Sequence, residues 1–434
     1  MILILDIGKT NKKCLVFDPD YRIVFEKSIQ LPETTDEDGF PCEDLELLQK
    51  WVLDVLQTVL GKRKFPIKAI NCTTYGASFV HLNAQGQALT PLYNYLKPFP
   101  ETLRKSFFDQ YGDAEKISLE TASPDLGNLN SGLQLYWLKQ CKPLIYNQIK
   151  WSLHLPQHIA YWIQNHLNPD HPKEPQSEIT SIGCHTMLWN FQENEYHHWV
   201  KAEGLIEKFP PIVKSGGDLE SPPDLTIGAG LHDSSAALIP YLACFEEPFV
   251  LISTGTWCIS LNPFNQEPLT AGELAQDTLC YMTYEGDPVK AARYFGGNEH
   301  ETMTKKLAEE FGVAEDFYQS VDLSENAKLW ERYQIFMRQL VEKQAHSTRL
   351  AIGKTRVKRL FVDGGFSKNE TYMRLLAAAF PELDVFAAEI AQATALGAAM
   401  AIHNQWNPKP IPDNLISLKH IFYDDSIQSK IPLY

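Results

Sequence analysis

The chain carries one local pattern twice, far apart: an apolar strand, a short polar turn holding a glycine, and a second apolar strand. The first copy runs Ile2 to Ile7 and Lys13 to Phe17, around Gly8-Lys9-Thr10-Asn11. The second runs Phe249 to Ser253 and Trp257 to Leu261, around Thr254-Gly255-Thr256. Each reads as a β-hairpin. Two hairpin starts at distant positions predict a duplicated architecture. With 434 residues there is room for two domains, and the change of pattern near residue 245 divides the chain into 1–245 and 246–434.

Other elements follow from periodicity. Ile23 to Ile29 reads as a third strand. Leu45, Leu48, Val52, Val55, Leu56 and Val59 have helical spacing, and Gly61 ends that helix. Ala69 to Thr74 then reads as a strand, so the opening is β-β-β-α-β. Leu133 to Cys141 and Trp151 to Asn165 are predicted helices, and the proline-rich stretch 168–176 a surface loop. In the second half, a long helix is predicted over Leu329 to Ala345 and a strand over Arg359 to Val362. Two helices follow, Glu370 to Phe380 and Ala391 to His403.

The net charge is −15, from 39 basic and 54 acidic residues. Such a surface repels nucleic acid and anionic membrane, so neither is an expected partner. An acidic protein that binds a polyanion must build a local positive site, and a divalent cation is one means. The eight cysteines lack CxxC or Cys/His zinc spacing, which argues against a structural metal. No apolar run is long enough to span a bilayer, and the opening residues lack the features of a signal peptide. The expected setting is the cytoplasm, with reduced thiols.

Four segments carry chemistry. In Asp6-Ile-Gly-Lys-Thr-Asn-Lys-Lys13, Gly8 allows close backbone approach and φ > 0, and successive N–H groups can form an anion nest. Thr10, Asn11, Lys9 and Lys12 add donors and charge, and Asp6 could hold Mg²⁺ through water. A tight hairpin turn uses the same residue types, so that reading stands beside it. Ser253-Thr-Gly-Thr-Trp257 repeats the pattern. Asp363-Gly-Gly-Phe-Ser-Lys-Asn369 joins a strand to a helix, a common way to admit a nucleotide, though neither GxGxxG nor the P-loop pattern is present. In Gly228 to Ala237, Asp233 stands among small residues at a helix start. It reads as an N-cap and equally as a general base. His232 reads more readily as a packed residue than as a second base. The adjacent His197-His198 does not have the spacing of a metal pair.

In this order and spacing the four segments resemble the FGGY carbohydrate kinases, relatives of actin, hexokinase and the Hsp70 chaperones. Leu135-Tyr-Trp-Leu-Lys139, Ser177 to Gly183 and Ala393 to Ala399 resemble further family pieces. The resemblance implies an α/β fold of two RNase H-like (actin-like ATPase) domains with ATP·Mg²⁺ in the cleft between them. Asp233 would be the catalytic base and Asp6 would lie near the metal. Gly8, Lys9, Thr10, Asn11, Lys13, Thr254, Gly255, Thr256, Gly364, Gly365 and Asn369 would bind nucleotide. Tyr75, Gly76, Ala77, Asn94, His232 and Asp233 would line the sugar site. Dimers are frequent in the family, so a homodimer is a further expectation.

The departures concern the sugar. Lys9 replaces a Thr or small residue, and an added cation there is expected to favour phosphate. Gln134 stands where a Lys is common. Tyr75-Gly76-Ala77 and Tyr93 to Lys97 lack the family's usual sugar-side residues. The Gly-Lys-Thr-Asn turn leans toward kinases of L-fuculose or L-rhamnulose, with D-xylulose next and glycerol less favoured. The leading expectation is an ATP-dependent ketose kinase. A nucleotide-binding sensor or chaperone-like ATPase of the same fold is the alternative, and an actin-like filament protein the remote third.

Overall fold

The computed structural model describes residues 1–61, 64–213, 225–319, 326–390 and 392–422. The opening residues build a six-stranded sheet. Ile2–Ile7 lies at its centre, antiparallel to Lys12–Phe17 and parallel to Ala69–Thr74. Ile23–Ile29 extends one side, and Thr226–Ile227 and Leu231–His232 both pair with Ala69–Thr74 on the other. The central strand is buried on both faces, as its unbroken aliphatic run requires. Leu3, Leu5 and Ile7 pack with Leu48, Val52 and Val55 of the helix Leu45–Gly61. Ile2 and Ile4 pack with Ala395, Leu396 and Ala399 from the far end of the chain.

The second sheet repeats this plan with seven strands. Phe249–Thr254 is central, antiparallel to Cys258–Asn262 and parallel to Arg359–Gly364. Pro288–Tyr294 and Thr278–Met282 continue beyond the hairpin, and Asp384–Glu389 and Ser417–Ile421 beyond the parallel strand. In each sheet the first hairpin is therefore central and a later strand pairs parallel with its first member. The duplication expected from two hairpins is present in the strand order.

The two halves meet through the helices Asp233–Cys244 and Ala393–Ala401. A side chain at Gly397 would put its Cβ 1.8 Å from the Ala236 carbonyl, so the close crossing depends on glycine. Small residues line this contact, and helix axes approach most closely where side chains are smallest.

Two sequence expectations are corrected. Trp151 to Asn165 is not one helix. Trp151–His154 is a strand paired with Phe79–Leu82, and the helix begins at Leu155, with Pro156 in its first turn. The last predicted helix runs Ala393–Ala401 and breaks at Ile402 before His403–Trp406, and Ala391 lies outside the described residues. Among the described residues no helix is long and apolar enough to cross a membrane. All eight cysteines are free thiols.

Candidate active site

The first hairpin turn is short and tightly held. Gly8 N–H donates to the Asn11 carbonyl at 2.9 Å. Gly8 does not adopt the expected positive φ. Its role is close approach, since a Cβ there would lie 3.1 Å from the Asn11 oxygen. Strand register sets Asp6 opposite Lys13 and Ile7 opposite Lys12. Because side chains alternate along a strand, Lys12 and Lys13 point to opposite faces.

Their partners differ accordingly. Lys13 Nζ donates to Gln392 Oε1 at 2.7 Å. Lys12 is buried, and its ammonium donates to the Gly8 carbonyl (3.0 Å), the Lys9 carbonyl (2.9 Å) and Glu43 Oε1 (2.5 Å). Lys9 Nζ donates to Glu33 at 2.8 Å and lies 3.9 Å from Glu43. Its charge is thus matched by carboxylates within the protein, and the added cation expected at this position is not a free one.

Asp6 is buried, and its Oδ2 accepts from the Thr394 hydroxyl at 2.9 Å. Burial pushes its carboxyl up to about 6, the Thr394 bond opposes this, the charge of Asp233 adds to it, and Lys13 opposes it. A buried carboxylate with this history is short of positive charge. It is an oxygen donor of the kind Mg²⁺ prefers.

Asp233 opens the helix Asp233–Cys244 as its first residue, rather than capping it from outside. Its Oδ1 accepts from Ser234 N–H at 2.7 Å. The side chain keeps 31% exposure, so its carboxylate is not sealed off from solvent. Burial nevertheless pushes its pKa up to about 6, against the Ser234 hydrogen bonds. His232 beside it is buried and held neutral, its pKa pushed down to about 3 by burial. Its Nε2 lies 3.1 Å from Cys184 Sγ and 3.2 Å from Asp233 Oδ1.

The residues after Ala69–Thr74 form a wall beside these groups. Gly76 packs where a Cβ would meet Cys184 Sγ at 3.1 Å and the His232 ring at 3.2 Å. Ala77 takes φ 60°, and its carbonyl accepts from Gln134 Nε2 at 2.6 Å. Gln134, in place of a lysine, therefore supports this turn. Tyr75 Oη donates to Glu43 Oε2 at 2.9 Å, and its ring lies 6.1 Å from that of Tyr95. Burial, then the charges of Asp233 and Glu43, push the Tyr95 phenol up, as expected of a ring near both. Asn94 turns its Oδ1 to Leu96 N–H at 3.0 Å, so its side chain shapes the segment Tyr93–Lys97.

The second hairpin turn joins the glycine-rich segment directly. Thr254 Oγ1 donates to the Asp363 carbonyl and accepts from Phe366 N–H at 3.0 Å. Gly364 has φ 88°, and a Cβ there would sit 2.0 Å from the Thr254 carbonyl, so only glycine fits. Gly255 N–H donates to the Trp257 carbonyl, and Thr256 O accepts from Asn298 N–H at 3.1 Å. Next to this lies a cavity of about 700 Å³, lined by Tyr318, Trp330, Gln334, Gly365, Asn369 and Arg374. Two aromatic rings beside a glycine suit a planar base. Asn369 caps Tyr372 N–H and donates to Tyr333 Oη at 2.8 Å, so its side chain also holds the cavity wall.

Glu120, His197 and His198 bring metal-capable atoms within 4.8 Å of one another. Both His197 nitrogens have partners: Nδ1 accepts from Trp199 N–H at 3.4 Å, and Nε2 bonds Glu120 at 2.8 Å. A ligating Nε2 would move the proton to Nδ1, against the Trp199 donor, so the cluster fits a structural role.

Asp6, Asp233 and the three glycine turns are marked by motifs in the sequence. Glu43 is marked by no motif. Nor are Gln392 and Thr394 marked as partners of the first hairpin, although the alanine-rich run around them was visible.

These features are those of a nucleotide-dependent phosphotransferase of the actin-like ATPase architecture. The family comparison agrees. The N-terminal domain of the FGGY family of carbohydrate kinases matches residues 1–221. The C-terminal domain of carbohydrate kinase FGGY matches residues 246–337, and the FGGY family C-terminal domain matches 331–403. The chain belongs to the FGGY family of carbohydrate kinases, enzymes that use ATP with Mg²⁺. Among solved structures it is similar to a carbohydrate kinase from Novosphingobium aromaticivorans, with TM-score 0.79 and 25% identity, over 98% of this chain and 95% of that one. A ligand-bound xylulose kinase from Lactobacillus acidophilus gives TM-score 0.79 at 15% identity, over 99% and 95%. A gluconate kinase from the same organism gives 0.78 at 15%, over 99% and 94%. No protein of curated function matches by sequence.

Proposed function

We propose that the protein is an ATP-dependent ketose kinase in which Asp233 is the general base. The observation that carries this reading is a partly exposed carboxylate at the first residue of a helix, 3.2 Å from His232 and beside the wall formed by Gly76 and Tyr95; burial, which raises its pKa to about 6, agrees with it. A base with a pKa near the working pH accepts a proton readily and is still mostly ionised at neutral pH. Asp233 takes the proton of a sugar hydroxyl as that oxygen attacks the γ-phosphorus. The new P–O bond forms as the bond to ADP breaks, and the proton stays on Asp233 until it passes to solvent.

The remaining residues position and shield. The turns at Gly8–Asn11 and Thr254–Thr256 would meet the phosphates through the backbone N–H groups not already bonded within the turns and through the Thr10 and Thr256 hydroxyls, with the charge of Lys13 near Asp6. Gly364, Gly365 and Asn369 shape the cavity for the adenosine end. Asp6 would hold Mg²⁺, which would supply positive charge to neutralise the transferring phosphoryl group. Tyr75, Gly76, Ala77, Asn94 and His232 form or support the sugar side. A division at residue 245 assigns one hairpin turn to each domain. Free thiols and the ATP requirement support a cytoplasmic setting.

The sugar class is a ketose of the L-fuculose, L-rhamnulose or D-xylulose type. The likeness to a xylulose kinase supports that range, and the Gly-Lys-Thr-Asn turn leans toward the two deoxyketoses. A sensor would have no need of a base poised in this way. The test is ADP release from Mg·ATP with these ketoses, glycerol and gluconate. Stimulation by one ketose that Asp233→Asn abolishes supports the reading. Equal stimulation in the variant removes Asp233 from the role.

A further inference from the structure

Residues 33–43 form a short hairpin, Glu33–Thr35 paired with Pro41–Glu43, that touches both sides of the site. On the phosphate side, Glu33 and Glu43 hold Lys9 and Lys12. On the sugar side, Asp36 and Asp38 accept from Lys97 at 2.6 and 2.5 Å, and Glu37 accepts from Tyr93 and Lys142. Glu43 is the point where the two sides meet. It is buried, with one oxygen on Lys12 and the other on the Tyr75 phenol.

Lys12 cannot also serve a nucleotide. An ammonium has three donors, and all three have partners: Glu43 and the carbonyls of Gly8 and Lys9. Holding those two carbonyls fixes how the peptide units of the turn are oriented, and therefore where their N–H groups aim. The buried setting strengthens these bonds and makes an unpaired member costly.

We infer that Glu43 is a positioning residue that couples the two substrate sites: the Tyr75 phenol holds Glu43, Glu43 holds Lys12, and Lys12 sets the shape of the first phosphate turn. A sugar that orders Tyr75 would thereby preorganise the turn for ATP, and ATP would order Tyr75 in return, as coupling between sites is reciprocal. This rests on the reading of Gly8–Asn11 as a phosphate turn and of Tyr75 as part of the sugar wall.

The test is Mg·ADP affinity by calorimetry with no sugar present, together with hydrogen exchange of the amides of residues 8–12. Tyr75→Phe removes only the hydroxyl and should keep the fold. It is expected to weaken Mg·ADP about threefold and to speed exchange in the turn, although Tyr75 lies on the sugar side. Glu43→Gln is expected to weaken it about tenfold. The double variant should match Glu43→Gln alone, because both changes act through one carboxylate. If Tyr75→Phe leaves Mg·ADP affinity and turn exchange unchanged while the wild type binds Mg·ADP and protects residues 8–12, the coupling is refuted and the phosphate-turn reading stands. If Mg·ADP fails to protect residues 8–12 in the wild type, the phosphate-turn reading falls and the coupling falls with it.

Discussion

Asp6 and Asp233 are both pushed up to about 6, with burial the first cause in each. Their ionised forms are thus disfavoured by the fold. For an acid whose folded pKa lies above its unfolded value, the stabilising contribution is present at low pH and is lost as pH rises through the folded value. Above about pH 6 the ionised Asp233 therefore costs stability. Asp233→Asn should raise Tm by about 1–3 °C at pH 8, a gain that shrinks as pH falls from about 6 and is lost near pH 4. Thermal melts at the two pH values check this. The same variant should lose sugar-dependent turnover by about 10²–10⁴-fold while Mg·ADP still binds. In the wild type, kcat/KM should fall as pH drops through about 6, because the protonated base cannot accept a proton. A profile flat from pH 5 to 8 would point to a different base. At this scale Asp6 was legible as the polar residue of an aliphatic strand that runs into a glycine-containing turn, and Asp233 as an acid among small residues at a helix start. Glu43 was not, since its partners Lys12 and Tyr75 lie more than thirty residues away on either side.

The strand pairs and the crossing helices determine where those residues stand. The helix that begins at Asp233 is seated against Ala393–Ala401 by the absence of a side chain at Gly397. Gly397→Ala should force the helices apart. The expected result is a loss of about 1–3 kcal/mol in stability, together with a fall in kcat as Asp233 shifts. Gly272→Ala meets nothing within 4 Å and should be near neutral in both measurements. Chemical denaturation and steady-state kinetics on the pair check this. The two hairpins and the helix Leu45–Gly61 were legible because their periods are clean. The strand Trp151–His154 was not. Four apolar and polar residues before a helix carry no period of their own, and the pairing with Phe79–Leu82 that makes them a strand is tertiary.

Across the whole molecule, a net charge of −15 opposes an anionic nucleotide. Of the basic side chains around the first turn, Lys9 and Lys12 are already matched by Glu33 and Glu43, and Lys13 donates to Gln392. A bound Mg²⁺ is therefore expected to be indispensable: chelation should abolish sugar-dependent ADP release, and added Mg²⁺ should restore it. Retention of activity in excess chelator would contradict that expectation. The duplicated plan was legible from the hairpins alone, because a central antiparallel pair is local in sequence. The parallel strands that complete each sheet, and the contact of Thr394 with Asp6, join distant segments and left no local trace.

The central claim is that this site transfers a phosphoryl group to a ketose with Asp233 as base. The measurement that tests it most directly is ADP release from Mg·ATP, wild type beside Asp233→Asn, across L-fuculose, L-rhamnulose, D-xylulose, gluconate and glycerol. The account predicts that one ketose stimulates release in the wild type and that none does so in the variant. A rate that no sugar changes in the wild type, or a variant as active as the wild type, would contradict it.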